Sequence, residues 1–413
     1  MKHTRMFTAA VVAAVAATMA LTPATAQKKV VSQAQSIAKS TNPDFAEARE
    51  LIHTALQHEE TSNDPKAWYV AGYIEDQQFS SERMKEVLGT PSNQPVMYDA
   101  LLKELDLFEK AVELDRLPDA KGKVKPKYEK DIKGILAANH LYYINGGAYY
   151  FDERDYHKAY DAFTQYLRIA ESPLFTGEKT AERDSNYMTV RFYAAVAATQ
   201  LGEPETAITA LRRATEKPDF RLNEVFQYLF NEYDLAKDTV GMEASLKEAM
   251  GRVPEEPFFL LNLINIYIYT GRNDEAVEYL NQAIARDPRN PMLYNALGSV
   301  YEDGIKNGEE AERAFTKALE IDPEYVDAIS NLGRVYYNQA INKQNEANQI
   351  TDNAQYREAV AQAKTLFDKA RPYFEKAAGI KPTEMAYKIA LRGIYYNLNL
   401  GKELADIEKE LSE

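Results

Sequence analysis

Between Pro257 and Pro288 the apolar positions recur with a helical period, twice over. Leu260, Leu263, Ile264 and Tyr267 fall at helical spacing and make one stripe of a first helix. Gly271, directly after Thr270, breaks it. Asp274 and Glu275 open a second helix, where negative charge suits the positive end of the helix dipole. Ala276, Leu280 and Ala283 form its apolar face, and Pro288 stops it. The segment predicts one antiparallel helical hairpin.

The pattern repeats. Ala214, Ala249, Ala283 and Ala318 lie 35, 34 and 35 residues apart, each with a large apolar residue three positions earlier (Leu211, Leu246, Leu280, Phe315). A proline follows the last three alanines by a fixed interval, at Pro254, Pro288 and Pro323. In the next unit Tyr294, Leu297, Gly298 and Tyr301 mark a first helix, and Ala311, Phe315, Ala318 and Pro323 a second. Gly298 and Ala311 are expected to let two helix backbones approach, with Tyr294, Tyr301 and Phe315 filling the space beside the crossing. A period near 34 predicts a stack of hairpins that share one continuous core.

This spacing resembles the tetratricopeptide repeat, almost slot for slot from Tyr294 to Pro323, with one extra residue in the turn near Gly308. The preceding unit departs where Ile264 replaces the small residue. More degenerate units keep Phe226, Leu229, Tyr233, Leu246 and Ala249, and Ala194, Ala195, Gly202, Ala207, Leu211 and Ala214. Tyr143, Gly147, Tyr150, Ala159 and Phe163 make a further unit. Trp68, Ala71 and Gly72 open one whose second helix ends with Phe108 and Ala111, and Ala48, Ile52 and Ala55 mark a second helix near the start. Ile329, Leu332, Gly333 and Tyr336 pair with Ala370, Phe374, Ala377 and Pro382, and a final helix is assigned to Ile389, Gly393 and Tyr396. The resemblance covers about residues 44 to 400. It implies an all-α, right-handed α-solenoid of about seven units, several with elongated helices. Its parts are 27–222, with long insertions, and 223–413, continuous with it.

Three units are stretched. Between Tyr336 and Ala370 the excess is rich in Asn and Gln and reads as lengthened helices with a polar tip. The unit opened by Trp68 is stretched similarly. A third insert holds Lys121, Lys123, Lys125 and Lys127, flanked by Asp119, Glu129 and Asp131, and reads as a solvated loop.

Residues 1–26 stand apart. Lys2 and Arg5 precede an apolar run from Phe7 to Leu21, and Ala24-Thr25-Ala26 is a small-x-small cleavage site. This predicts a signal peptide with Gln27 as the new N-terminus, and a periplasmic or secreted bacterial protein, Gram-negative in type. No integral membrane segment is expected after cleavage. Without the leader's two basic residues, 47 basic residues face 63 acidic ones, a net charge of −16. That balance argues against a nucleic-acid partner, since no basic stripe is available to neutralise phosphates. With no cysteine there is no disulfide or thiolate site.

Catalytic spacing is absent. His53 and His58 are five apart and do not share a helix face, and no carboxylate motif frames His140 and His157. There is no Gly-x-Ser-x-Gly and no phosphate loop. The expectation is therefore no enzyme, no cofactor and no metal.

Tyrosine, with 28 residues, is the compositional anomaly. Tyr143, Tyr150, Tyr233, Tyr267, Tyr294, Tyr301, Tyr336 and Tyr396 occupy slots that the resemblance assigns to packing. The resemblance also implies that the first helix of each pair lines the inner face. Its non-core positions include Asn145, Tyr193, Tyr228, Asn231, Asn262, Asn265, Tyr269, Asn295, Ser299, Asn331, Arg334 and Tyr337. Asn offers both donor and acceptor to an extended backbone, and Tyr adds contact area at low entropic cost. With Arg334 the sole cation among these positions, a carboxylate clamp of the kind some members use is not carried over. The expected function is a non-catalytic scaffold for a protein or peptide partner. A chaperone or assembly factor for exported proteins is one alternative and a carbohydrate-binding helical protein another. The sequence leaves the oligomeric state open.

Overall fold

A computed structural model describes residues 25–175 and 185–412. The leader lies outside the described residues as far as residue 24. Every regular element among the described residues is helical. The chain divides into two compact units between Lys237 and Asp238.

The first unit holds α1 (Thr25–Ala38), α2 (Phe45–Gln57), α3 (Pro65–Val87), α4 (Gln94–Asp115), α5 (Glu129–Asn139), α6 (Tyr142–Asp152), α7 (Tyr156–Glu171), α8 (Ser185–Thr199), α9 (Pro204–Ala214) and α10 (Leu222–Leu235). The second holds α11 (Thr239–Arg252), α12 (Pro257–Tyr269), α13 (Asn273–Arg286), α14 (Pro291–Ser299), α15 (Gly308–Ile321), α16 (Val326–Ala347), α17 (Asn353–Ile380), α18 (Met385–Leu398) and α19 (Gly401–Ser412). Within each unit a helix packs chiefly on its neighbours in sequence. That nearest-neighbour packing is the mark of an α-solenoid.

The turns are set locally. Asp44, Asp64, Asn93, Asp155, Asp238, Asn307 and Asp352 each accept a backbone N–H at a helix start. Such a cap is worth about 1 kcal/mol. Gly202 and Gly271 close turns at φ +73° and +71°, a conformation that other residues adopt only with strain.

The glycines of the repeat do a different job from the one expected. A Cβ on Gly298 would sit 2.5 Å from the Phe315 ring, so the glycine leaves room for a phenylalanine rather than for a second backbone. Gly72 faces Phe108 and Gly147 faces Phe163 in the same way, and Gly333 faces Phe374 with slightly more room. These four pairs survive sequence separations set by very different insert lengths. The elongated helices are confirmed: α3 and α4 span 23 and 22 residues, α16 and α17 span 22 and 28.

Three features were not read from the sequence. Helix α1 pairs with α2, burying Val31, Ala34 and Ala38. Helix α5 follows the lysine loop and buries Ile132, Leu136 and Asn139. The extra residue before Gly308 is absorbed in a π-helical turn, Val300–Ile305, which ends at Lys306 with φ 63°. A π-turn of this kind re-aims the side chains it carries.

The last repeat corrects the assigned frame. Leu391, Ile394 and Tyr395 are buried, whereas Ile389 and Tyr396 are 52% and 71% exposed. The intervals that separate Pro323 from Ile329, Leu332, Gly333 and Tyr336 give Lys388, Leu391, Arg392 and Tyr395 when counted from Pro382. Residue type had drawn the frame to Gly393, one position late. That glycine instead makes room for the Tyr337 hydroxyl, 2.6 Å from where its Cβ would lie.

Candidate partner-binding faces

In the first unit, Asn145 and Asn231 are exposed and Tyr228 is half-buried. Tyr193 is 41% exposed, with its ring edge-on to Phe192. These four stand on α6, α8 and α10.

In the second unit the expected ladder divides into exposed and committed groups. Asn265 is exposed and Tyr269 is 93% exposed. With Leu261, 39% exposed, they form one stripe along α12, spaced four residues apart. Asn262 turns its amide back onto the Phe258 carbonyl of its own helix, at 2.8 Å. Asn295 is buried and accepts from Asn331 Nδ2 at 3.0 Å, and the Ser299 hydroxyl donates to the Asn295 carbonyl at 3.2 Å. These groups satisfy one another.

Arg334 and Tyr337 are likewise committed. Arg334 donates to both oxygens of Asp303 at 3.0 and 3.2 Å. Its Nη2 also lies 3.0 Å from Glu302 Oε2, though without hydrogen-bond geometry. Asn338 donates to the other Glu302 oxygen at 3.1 Å. Both acids ride on the π-turn and supply the counter-charges that hold Arg334. Burial pushes the Glu302 carboxyl up, while the Arg334 charge pulls it down. Tyr337 packs edge-on against Phe367 and Phe374, with ring centroids 5.5 and 6.4 Å away. Its hydroxyl fits against Gly393, so it joins α16, α17 and α18 as a packing residue.

Sequence reasoning missed Leu261, Ile389, Asn338 and Tyr396 as exposed first-helix groups. Counting from the prolines would have found Ile389 and Tyr396. Glu302 and Asp303 carried no signal beyond the extra residue before Gly308.

The histidines and the single tryptophan are occupied or dispersed. His140 stacks on Tyr166, with ring centroids 4.0 Å apart, and its Nε2 lies 2.9 Å from the Tyr166 carbonyl. Trp68 is half-buried and donates Nε1–H to the Ser62 carbonyl at 2.7 Å, which closes the turn before α3. The first unit also encloses a carboxylate pair. Asn139 Nδ2 donates to Asp76 at 3.0 Å and to both oxygens of Glu104 at 3.1 and 3.2 Å. Tyr143 donates to Glu104 at 3.1 Å. Burial holds Glu104 well above the usual carboxylate range, and raises Asp76 as well. Glu104 is fully buried, so this pair is sealed within the helix packing. Among the described residues, no group of three or more His, Asp or Glu side chains is placed to hold a metal ion, and no helix is long and apolar enough to cross a membrane.

Residues 261–326 match the family model described as tetratricopeptide repeat. No curated protein matches the chain. A tetratricopeptide-repeat protein from Bacteroides fragilis is 18% identical, with 62% of this chain and 98% of that one covered, at a TM-score of 0.34. The C-terminal part of a repeat-containing protein from Cytophaga hutchinsonii is 17% identical, covering 64% of this chain and 92% of that one, at 0.36. MamA is 22% identical over 45% of this chain and 87% of its own, at 0.31. At these scores the likenesses carry no argument about function.

Proposed function

Since the chain carries tetratricopeptide repeats, we propose that it is a non-catalytic interaction scaffold that holds a protein or peptide segment against the exposed faces of its first helices. The observation that supports this most is the α12 stripe of Leu261, Asn265 and Tyr269. Packing gives no reason for a tyrosine 93% exposed at the end of a helix. An apolar residue, an amide and a phenol in one line suit an extended segment, with backbone groups on the amide and a side chain on the ring. Ile389 and Tyr396 put a second apolar pair on one face of α18. The pattern of residues 1–26 supports action outside the cytoplasm, in the bacterial envelope or beyond it.

The test is capture from envelope extract by the purified protein, with the partner identified by mass spectrometry. Replacing Asn265 and Tyr269 together by alanine is expected to weaken capture at least tenfold and leave the melting temperature unchanged, because neither side chain is buried. Equal capture by that variant removes α12 as the binding face.

A further inference from the structure

The first unit contains a cleft of about 490 Å³ between α7, α8 and α9, and three arginines line it: Arg191, Arg212 and Arg213. In a chain of net charge −14 such a gathering of cations is unexpected.

Arg191 is the informative one. It stands four residues before Ala195, the slot that Trp68, Tyr143, Tyr294 and Ile329 hold relative to Gly72, Gly147, Gly298 and Gly333. An apolar packing slot has been given to a guanidinium, and that side chain is 97% buried. Its Nη2 donates to the carbonyls of Glu216 and Pro218 at 2.6 and 3.0 Å. Among the described residues no carboxylate pairs with it, and its remaining N–H groups make no hydrogen bond. Burial holds the Arg191 guanidinium below its ordinary range, a charge kept at a cost.

The other two arginines are partly engaged and partly exposed. Arg213 pairs with Glu171, and Arg212 donates Nε–H to the Tyr233 hydroxyl at 3.0 Å. Glu216 also lines the cleft. The floor is apolar, made by Leu167, Ala194 and Ala210. Planar guanidinium forks match oxyanions, and a partly desolvated one gains most from a counter-charge.

We propose that this cleft binds a small organic oxyanion, a phosphate or carboxylate group carried on an apolar body. The charged end meets Arg191 and Arg212, and the apolar body covers the floor. The volume exceeds what a bare inorganic anion fills.

The test is calorimetric titration of the full chain at low ionic strength with phenyl phosphate, benzoate and inorganic phosphate. Saturable binding of phenyl phosphate or benzoate is expected, at least tenfold tighter than inorganic phosphate and weakening as salt is added. Which of the two binds more tightly identifies the charged group. Arg191→Leu installs a side chain of the kind other repeats use in that slot. It and Arg212→Gln are each expected to weaken binding at least tenfold, whereas Arg313→Gln in the second unit leaves it unchanged. If Arg191→Leu does not fold, Arg212→Gln decides alone. The proposal is overturned by no saturable heat with phenyl phosphate or benzoate, by equal affinity in the cleft variants, or by inorganic phosphate binding as tightly as the organic anions.

Discussion

The two units solve one packing problem with the same pair of residues and then differ in what they seal inside. In the first, Gly147 makes room for Phe163; in the second, Gly298 makes room for Phe315. Around that shared device the first unit buries Asp76, Glu104, Asn139 and Tyr143 in a closed polar network. The second sets its acids against cations instead: Glu243 meets Lys247 and Arg272, and the largely buried Glu302 meets Arg334. The period fixes the apolar slots, which repeat because each hairpin must bury the same face. It leaves the polar residues between the slots unspecified. The longer helices α3 and α4 and the added α5 give the first unit interior positions that the short repeats lack.

The largest effects should come from the shared device. Phe163→Ala and Phe315→Ala each remove a buried ring from opposite a glycine, which has no side chain to fill the gap. Each is expected to cost about 3–5 kcal/mol in chemical denaturation. Similar values in both units sustain the equivalence of the two pairs. A loss below about 1 kcal/mol in either unit breaks it.

A smaller effect sharpens the same point from the unit that departs from it. There Ile264 holds the glycine slot and Leu280 the phenylalanine slot, and both are buried. Each helix there contributes a branched aliphatic side chain, where the other units take a ring from one helix and no side chain from the other. Ile264→Gly alone opens a cavity and loosens α12; Leu280→Phe alone overpacks, at about 1–3 kcal/mol. The double variant is expected to be more stable than the sum of the singles predicts, by about 1–2 kcal/mol of coupling. Strict additivity would mean that these two positions do not share one space.

What the sequence made legible follows the same division. The hairpins from 257 to 382 were readable because small, large and proline slots recur at fixed intervals, and the long α16–α17 pair was readable because its insert keeps a helical pattern. Helix α1 was not, since no periodic partner precedes Ala48. Helix α5 was not, since the lysine loop before it masked a short apolar stripe of Ile132 and Leu136. Of the candidate binding positions, exposure at Asn265 and Tyr269 was legible from helical phase alone. The commitment of Asn295, Arg334 and Tyr337 was not, because it depends on groups brought from other helices: Asn331, the acids of the π-turn, and Gly393. Spacing within one helix says where a side chain points but not what meets it there.

The smallest effects test the electrostatic contrast, and they run in opposite directions. Burial raises Glu104 above its ordinary 4.5, and the nearby Asp76 charge adds to this against the hydrogen bonds from Asn139 and Tyr143. A carboxyl raised in the folded state holds its proton longer than in the unfolded chain. Its contribution is therefore full below about pH 4.5 and is lost as pH rises through the folded value. Glu243 behaves oppositely. Burial works against its charge, but the hydrogen bonds from Lys247 and Arg272 outweigh burial and hold it at about 2. Its contribution is present above about pH 4.5 and is lost as pH falls towards 2. Glu104→Gln keeps an acceptor for Asn139 and Tyr143 while removing the charge. It should raise stability at pH 7 by about 1 kcal/mol and change little at pH 4. Glu243→Gln should lower stability at pH 7 by about 1 kcal/mol, with the difference closing as pH approaches 2, since this pair is partly screened by solvent. Melting temperatures of both variants between pH 2 and 8 read the two signs directly. Parallel pH profiles for the two variants would show that the buried network of the first unit and the ion pairs of the second respond to charge in the same way.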